Sequence, residues 1–383
     1  MKHHLFARQA LTAGVLGAVM AGVISCGGGS YGGGGASNSP APTPAPPVPT
    51  VPVATASKFA STALVSDGTG AAHTDAKLVN AWGIAFNPTG FVWVNNNGSN
   101  SSTLYDGNGV PQTLVVGIPA GTAGAAHPTG IVFNSSTDFK VTQNGVTGAA
   151  AFIFVGEAGT VSGWSPAVNR TASITVVDGG GTGPVYKGLA IGKVGAANFL
   201  YAADFRNGAI DVFDGNFAKV SLAGSFRDPN LPTGYAPFNI QAIGDKLYVA
   251  YARRATGATD ESKGAGFGVV ALFDTSGNYI KELTSGGVLN APWGLTQAPA
   301  NLGTFSNAIL VGNFGDGKIN AFDPNTGAWM GALSKADGNP VVIDGLWGLA
   351  FGNGVSAQPV TTLFYTAGPG DEAHGAYGRL DIQ

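Results

Sequence analysis

A short strand motif centred on glycine returns six times along this chain, and this repetition limits the fold more than any local propensity does. Each copy places apolar or aromatic residues on both sides of the centre, which is Asn in the fourth copy and Gly in the others. The central residues are Gly83, Gly130, Gly188, Asn239, Gly294 and Gly348, which are 47, 58, 51, 55 and 54 residues apart. Repeats of this length are typical of propeller blades, whereas the coils of a β-helix are far shorter.

Each copy is followed by a second apolar strand and by a third that ends in most units with an aromatic residue and Asp, as in Phe322-Asp323. Asp-Gly and Asn-Gly pairs between the strands tolerate the positive φ of tight hairpin turns. No segment keeps an apolar period of 3.6 residues, so helices should be minor.

The two ends of the chain indicate how such a ring would close. The last unit stops after its third strand, while an additional strand at 59–66 precedes the first unit. The sequence therefore predicts an all-β, six-bladed β-propeller over residues 58–383, closed by the N-terminal strand completing the C-terminal blade. A twelve-strand sandwich or two stacked barrels is the alternative.

The segment before this domain has the features of an export signal. A positively charged start precedes 15 mostly apolar residues, Ala10 to Ile24, too few for a membrane span but typical of a signal peptide. Val23-Ile24-Ser25-Cys26 resembles the lipobox of bacterial lipoproteins, which implies a signal peptide at 1–25 and lipidation of Cys26, the only cysteine. An ordinary signal peptide with an incidental cysteine is the alternative.

Residues 26–57 are rich first in Gly and Ser and then in Pro, as expected of a linker. A Pro-rich recognition motif is the other interpretation. By resemblance to Gram-negative lipoproteins, Gly27 after the cysteine favours the outer membrane. We therefore expect an exported protein of the cell envelope, which contacts the membrane only through its lipid anchor.

The charge of the chain limits its partners. Charged residues make up 11%, the net charge is −3, and Lys and Arg form no run, so nucleic acid is excluded as a partner. We expect a monomer that binds a small neutral ligand or an envelope protein.

Polar residues gather in two sets of loops, those entering the inner strands and those joining second to third strands. In propellers these loops share one face around the central tunnel, where functional sites tend to lie. The candidate ligand or metal residues on this face are His73, Asp75, His127, Glu157, Asp204, Asn313, Asp316, Asp344, Asp371, Glu372 and His374, with Asn80, Tyr186, Lys187, Arg206 and Asn239 beside them.

Two chemistries suit this composition. Imidazoles with carboxylates are typical ligands of transition metals, and a ring of Asp and Asn suits Ca²⁺. The structural interpretation is that these Asp and Asn residues serve tight turns, in which their side chains bond the nearby backbone. Trp82, Trp293 and Trp347 share one repeat position and form a candidate aromatic collar for a flat ligand, or else wedge between blades.

Longer stretches of the chain resemble a known family. Those that carry the resemblance include LVNAWGIAF, DFRNGAIDVFDGNF, DPNLPTGYAPFNIQ, FSNAILVGNFGDGKINAFDPNTG and DGLWGLAFGNG. They are similar to uncharacterised, exported bacterial propeller proteins related to NHL-repeat and YVTN-type propellers, over residues 60–378. The resemblance implies the fold and no particular reaction.

Motifs of common enzyme classes are absent from residues 58–383: this part of the sequence contains no Gly-x-Ser-x-Gly, no P-loop and no His-Glu-x-x-His. The sequence favours an envelope-anchored module that binds a ligand or a protein. The alternative is a hydrolase or lyase of the six-bladed class, in which Ca²⁺ or Zn²⁺ at the tunnel mouth polarises the substrate.

Overall fold

The computed structural model describes residues 57–181 and 183–383. The predicted signal peptide, the lipidation site Cys26 and the linker up to residue 56 lie outside the described residues, so these remain predictions. One helical segment is described, the single 3₁₀ turn Gly303–Phe305. Within these residues the structure contains no helix long and apolar enough to cross a membrane.

The strands are numbered here in chain order. Two precede the first complete blade, β1 (Phe59–Ser66) and β2 (His73–Thr74). The first blade comprises β3 (Ala81–Phe86), β4 (Val92–Asn96), β5 (Ser101–Tyr105) and β6 (Pro111–Gly117). The second comprises β7 (Pro128–Phe133), β10 (Phe152–Gly156), β11 (Thr160–Trp164) and β12 (Ile174–Asp178), with an inserted hairpin of β8 (Lys140–Gln143) and β9 (Val146–Ala149). The third comprises β13 (Tyr186–Val194), β14 (Ala197–Asp204), β15 (Ala209–Asp214) and β16 (Lys219–Val220). The last three comprise β17 (Tyr235–Ile243), β18 (Lys246–Arg253), β19 (Val269–Asp274), β20 (Tyr279–Ser285); β21 (Pro292–Gln297), β22 (Ile309–Asn313), β23 (Ile319–Phe322), β24 (Trp329–Ala332); β25 (Leu346–Phe351), β26 (Leu363–Ala367) and β27 (Ala376–Ile382).

These strands form six antiparallel blades, which confirms the predicted all-β, six-bladed propeller. The first strand of each blade contacts the first strand of the next, in the order β3, β7, β13, β17, β21, β25 and back to β3. The sixth sheet has the order β2-β1-β27-β26-β25. Its strand β1 pairs antiparallel with β27, from Phe59 opposite Ile382 to Ser66 opposite Ala376. The N-terminal strand thus completes the last blade, as predicted.

The central residues of the repeat lie where neighbouring inner strands approach most closely. A Cβ added to Gly188 would lie 2.2 Å from Asn239 Oδ1, and one added to Gly348 would lie 2.7 Å from the carbonyl oxygen of Trp82. In the fourth blade Asn239 replaces Gly, and its Nδ2 donates to the Trp293 carbonyl oxygen at 2.7 Å. Five blades therefore use the missing Cβ for close contact, and the fourth uses a hydrogen bond to the next blade.

The recurring pair of an aromatic residue and Asp ends the third strands for a local reason. Phe213, Phe273 and Phe322 are buried between blades, whereas the Asp that follows each one begins the hairpin turn. Asp214 Oδ1, for example, accepts hydrogen bonds from the amides of Asn216 and Ala218, both at 2.9 Å. The pair therefore marks the end of a buried strand and the start of an Asx turn.

Replacing Gly130 by Ala should strongly destabilise the ring. The new Cβ would lie 2.4 Å from the Leu189 nitrogen and 2.8 Å from the Gly188 carbonyl carbon, both backbone atoms that a rotamer change cannot move. We expect a loss of about 3 kcal/mol in the free energy of unfolding, measured by denaturant titration. Gly68→Ala is the control, since nothing lies within 4 Å of its Cβ, and it should change stability by less than about 0.5 kcal/mol. Equal effects of the two substitutions would contradict this account of the repeat.

Candidate functional site

A layer of aromatic side chains closes the centre of the ring. The Trp347 ring lies between Trp82, at 3.7 Å between centroids, and Phe314, at 3.8 Å, while Trp293 contacts both indoles edge-on. All four side chains are buried. The three tryptophans of the predicted collar are therefore adjacent but packed on one another, and a flat ligand would have to displace part of this layer to stack on them.

The indole N–H groups of this layer are all hydrogen-bonded. Trp82 and Trp347 both donate to Asn80 Oδ1, at 2.9 and 3.0 Å, and Trp293 donates to the carbonyl oxygen of Lys187 at 2.9 Å. The inner strands also line a cavity of about 20 Å³ beside Trp293, which has room for about one water molecule. The described ring thus encloses a packed centre.

Lys187 occupies the same repeat position as the tryptophans and brings a charge into this layer. Its side chain is 2% exposed, and Nζ lies 2.5 Å from Glu157 Oε1 and 3.0 Å from Asp260 Oδ1. The Trp82 ring centroid lies 5.1 Å from Nζ, within the range of a cation–π contact. Burial opposes the charge, but the attraction of Glu157, Glu261 and Asp260 outweighs it and raises the pKa of Lys187 above its ordinary value. Lys187 is therefore an ammonium at neutral pH.

Two asparagines each hold one carboxylate of this region by a hydrogen bond. Asn97 Nδ2 donates to Glu157 Oε2 at 2.9 Å, and Asn80 Nδ2 donates to Glu372 Oε2 at 2.7 Å. Asn80 has a φ of 48°, in the left-handed region that Asn tolerates better than most residues. Since its Oδ1 accepts both indoles, Asn80 fixes the position of Glu372 relative to the tryptophans.

The carboxylates exceed the cations at this place. Burial raises the pKa of Glu261 to about 7; Lys187 opposes this rise, while Glu372 and Asp260 add to it. Burial also raises the pKa of Glu372, and Glu157 contributes in the same direction. We call Glu157, Asp260, Glu261 and Glu372, together with Lys187, the acidic mouth.

Of the residues predicted from sequence, Glu157 and Glu372 meet in the acidic mouth, with Asn80 and Lys187. Asp371 lies beside it, 3.5 Å from Lys263 Nζ, and this ammonium is 4.2 Å from the Phe314 ring centroid. Asp316, Asp344 and Asp371 line a cavity of about 180 Å³ together with Lys263 and Phe314.

The three histidines have separate surroundings. His73 lies in β2 at the outer edge of the sixth sheet. His127 Nδ1 is 3.3 Å from the Asn97 carbonyl oxygen, and His374 Nδ1 is 3.0 Å from Asp67 Oδ2. Across residues 57–181 and 183–383, no three His, Cys, Asp or Glu side chains form a group that could hold a metal ion.

The remaining candidates bond to nearby loops. Asp204 accepts from the amides of Val185 and Asn207, and Asp344 Oδ2 accepts from the Gly370 amide at 2.9 Å. Asp75 accepts from the Lys77 amide and the Tyr105 hydroxyl, both at 2.9 Å, while Asn313 donates to Asp316 at 3.0 Å and Asp316 also bonds Lys318. In these contacts the side chains stabilise turns and loops, which agrees with the structural interpretation of the Asp and Asn residues.

Sequence reasoning missed Asp260, Glu261 and Lys263. All three lie in the connection between β18 and β19, residues 254–268, whereas the corresponding connection in the third blade is only 205–208. Loop insertions in repeat proteins tend to lie on one face, which is often the binding face. The greater length of this loop than of its equivalent in the third blade is therefore the sequence feature that could have indicated these residues.

The closed ring and its polar mouth define a six-bladed β-propeller with a candidate binding face. No protein-family model matches the chain. Two uncharacterised proteins of Acanthamoeba polyphaga mimivirus are similar to it: R648 is 37% identical over 327 residues, covering 83% of this chain and 78% of R648, and L690 is 38% identical over 291 residues, covering 73% and 75%. The chain belongs to the family of these proteins.

These relatives are viral, so the bacterial origin implied by the sequence resemblance has no support in them. Among solved structures, a protein of unknown function from Bacteroides thetaiotaomicron is similar with a TM-score of 0.52 at 12% identity, covering 86% of this chain and 76% of that chain. At such low identity the likeness concerns the fold alone.

Lys187→Met should destabilise the protein although methionine has a similar length. The substitution leaves Glu157 facing the aromatic layer without its cation, and breaking an ion pair with a buried member costs about 2 kcal/mol or more. Lys246→Met is the control, because Lys246 pairs with Asp245 on the exposed surface, and it should leave unfolding almost unchanged. Thermal and denaturant unfolding measure both. A Lys187→Met protein as stable as the control would show that the pair does not support the fold.

Proposed function

We propose that this protein is a binding module whose acidic mouth captures an alkylammonium group, presented by a small amine or by a lysine side chain of a partner protein. The observation that carries the proposal is the excess of carboxylates: Glu157, Asp260, Glu261 and Glu372 lie close to only two ammonium groups, those of Lys187 and Lys263. A further cation would relieve the repulsion that helps to raise the pKa of Glu261 and Glu372. The low overall charge favours a neutral ligand, but the local charge at the mouth favours a cation.

Binding fits these residues better than catalysis by them. Lys187 is protonated and paired, so it supplies neither a nucleophile nor a base. The hydrolase or lyase alternative depends on a divalent cation, and the described residues offer no group of three His, Cys, Asp or Glu side chains for one. Glu157 and Glu372 already accept amide hydrogen bonds that hold them in place, as expected of a preformed recognition site.

The binding of a cation should strengthen as the pH rises through about 7. Glu261 attracts a cation only when ionised, and its pKa of about 7 leaves it partly protonated at neutral pH. An alkylammonium keeps its charge until about pH 10. We therefore expect tighter binding of Nα-acetyl-lysine methylamide at pH 8 than at pH 6 in isothermal titration calorimetry, and no comparable binding of the norleucine analogue, which lacks the charge.

Glu261→Gln tests the assignment of this pH dependence. The substitution should weaken binding at pH 8 about tenfold, equivalent to 1.4 kcal/mol, and flatten the pH profile near 7. Asp245→Asn, which changes an exposed carboxylate, should leave both unchanged. Binding of the norleucine analogue as tightly as the lysine compound would refute the proposal, and so would affinity that falls as the pH rises.

We further propose that the protein is exported and anchored in the cell envelope through a lipid on Cys26, with residues 26–57 as the spacer to the propeller. This proposal rests on the sequence of residues 1–57. In a Gram-negative host fed radiolabelled palmitate, the intact chain should incorporate label and partition into detergent, and Cys26→Ser should do neither. An unlabelled intact chain would favour the ordinary signal peptide.

A further inference from the structure

Another cavity, which shares no lining residue with the acidic mouth, lies between the third and fourth blades. Its volume is about 410 Å³, and its lining includes Ile210, Phe226, Arg227, Asp228, Leu231 and Tyr251. An adjoining cavity of about 560 Å³ shares Ser225, Arg227 and Pro229 with it. Ligand pockets in proteins have volumes of about 300–1,000 Å³, so the first cavity is of the size that suits a single sugar ring.

Two polar side chains in the wall of this cavity have unused hydrogen-bonding capacity. Asp228 and Tyr251 are 6% and 3% exposed, and among the described residues neither Asp228 Oδ2 nor Tyr251 Oη has a hydrogen-bond partner. The other oxygen of Asp228 accepts from the Asn230 amide at 2.8 Å. A buried polar atom without a partner opposes folding, and a water or a ligand in the cavity would supply that partner.

Other buried tyrosines of this chain are satisfied within the fold. Tyr186 Oη donates to Asp211 Oδ2 at 2.8 Å, and Tyr105 Oη donates to Asp75 Oδ2 at 2.9 Å. Burial raises the pKa of Tyr251, and the nearby charge of Asp228 raises it further, so its hydroxyl keeps its proton and can donate. The cavity wall thus offers a carboxylate that accepts and a phenol that donates or accepts.

The charges in the wall indicate a neutral ligand. Arg227 is exposed and supplies donors only, whereas Asp228 supplies an acceptor, so a ligand with both kinds of group uses both side chains. The positive charge of Arg227 disfavours a cation, and the negative charge of Asp228 disfavours an anion. Phe226, Leu231 and Ile210 add apolar surface for the carbon face of a ring. We propose that this cavity binds a neutral, polyhydroxylated ligand of monosaccharide size.

The backbone beside Asp228 is held in an unusual conformation. Phe226 has a φ of 52°, in the left-handed region that a bulky residue rarely adopts. Its ring packs on Tyr201 and Phe273, at 5.6 and 5.7 Å between centroids. These contacts anchor the segment that positions Arg227 and Asp228, so the cavity wall is preformed.

Thermal unfolding of the full chain without added ligand separates a folding role of Tyr251 from a binding role. Tyr251→Phe removes a hydroxyl that makes no hydrogen bond in the fold, so the midpoint should stay the same or rise. Tyr186→Phe, the matched control, removes a bonded hydroxyl and should lower it. A fall for Tyr251→Phe as large as the control's would place its hydroxyl in the folding network and overturn the proposal.

Titrations with D-glucose, D-galactose, D-mannose and N-acetyl-D-glucosamine test the ligand class, using saturation-transfer NMR and calorimetry. At least one sugar should bind saturably with a Kd of about 1 mM or tighter. Tyr251→Phe and Asp228→Asn should each weaken it at least tenfold, while Glu261→Gln at the acidic mouth retains it. No saturable binding of any of the four, or equal binding by the cavity variants, overturns the proposal. Neither result bears on cation capture at the mouth, because the two sites share no residue.

Discussion

The close approach of six inner strands is the constraint on which the rest of this structure depends. Where Gly130 faces Leu189 and Gly348 faces the Trp82 carbonyl, a Cβ would lie within 3 Å of the neighbouring blade, so only glycine permits the contact. The inner strands contact one another from blade to blade until the sixth returns to the first, and in the fourth blade Asn239 replaces the glycine and bonds the next blade. Because the ring closes in this way, the inner edges of the six sheets face one another at the centre, and β1 completes the last sheet.

This geometry also explains why one repeat position controls the centre. The residue before each central residue lies next to its equivalents in other blades, so Trp82, Trp293 and Trp347 pack together. A lysine at the same position, Lys187, places an ammonium against an aromatic layer that cannot solvate it. Its charge requires carboxylates from elsewhere, and Glu157 and the long loop with Asp260 supply them. The acidic mouth is thus the consequence of one charged residue in an otherwise aromatic and apolar set, with Thr129 the other exception.

The sequence was sufficient for the fold but only partly for the site. Six copies and a missing final strand predict the blade count and the closure by residues 59–66, because both depend on periodicity. The site depends on loop conformation, which has no period. His73 was placed at the mouth by its proximity in sequence to the first inner strand, yet it pairs with Val65 at a sheet edge. Asp260 and Glu261 belong to a loop of irregular length, so spacing gave no means of assigning them to the mouth.

Unsatisfied polar atoms also differ in what they imply. Asn95 Oδ1 and Asn313 Oδ1 have no partner among the described residues, but the amide nitrogens of the same side chains donate to carbonyl oxygens of neighbouring segments. Each of these asparagines lacks one hydrogen bond at a neutral oxygen, while its amide nitrogen still holds the neighbouring backbone. Asp228 is different, because a carboxylate has no donor to use in exchange, and part of its charge lies on Oδ2, the oxygen that lacks a partner. A buried carboxylate oxygen left open beside a cavity, next to an unbonded phenol, is therefore stronger evidence for an external partner than the unsatisfied amides of the core.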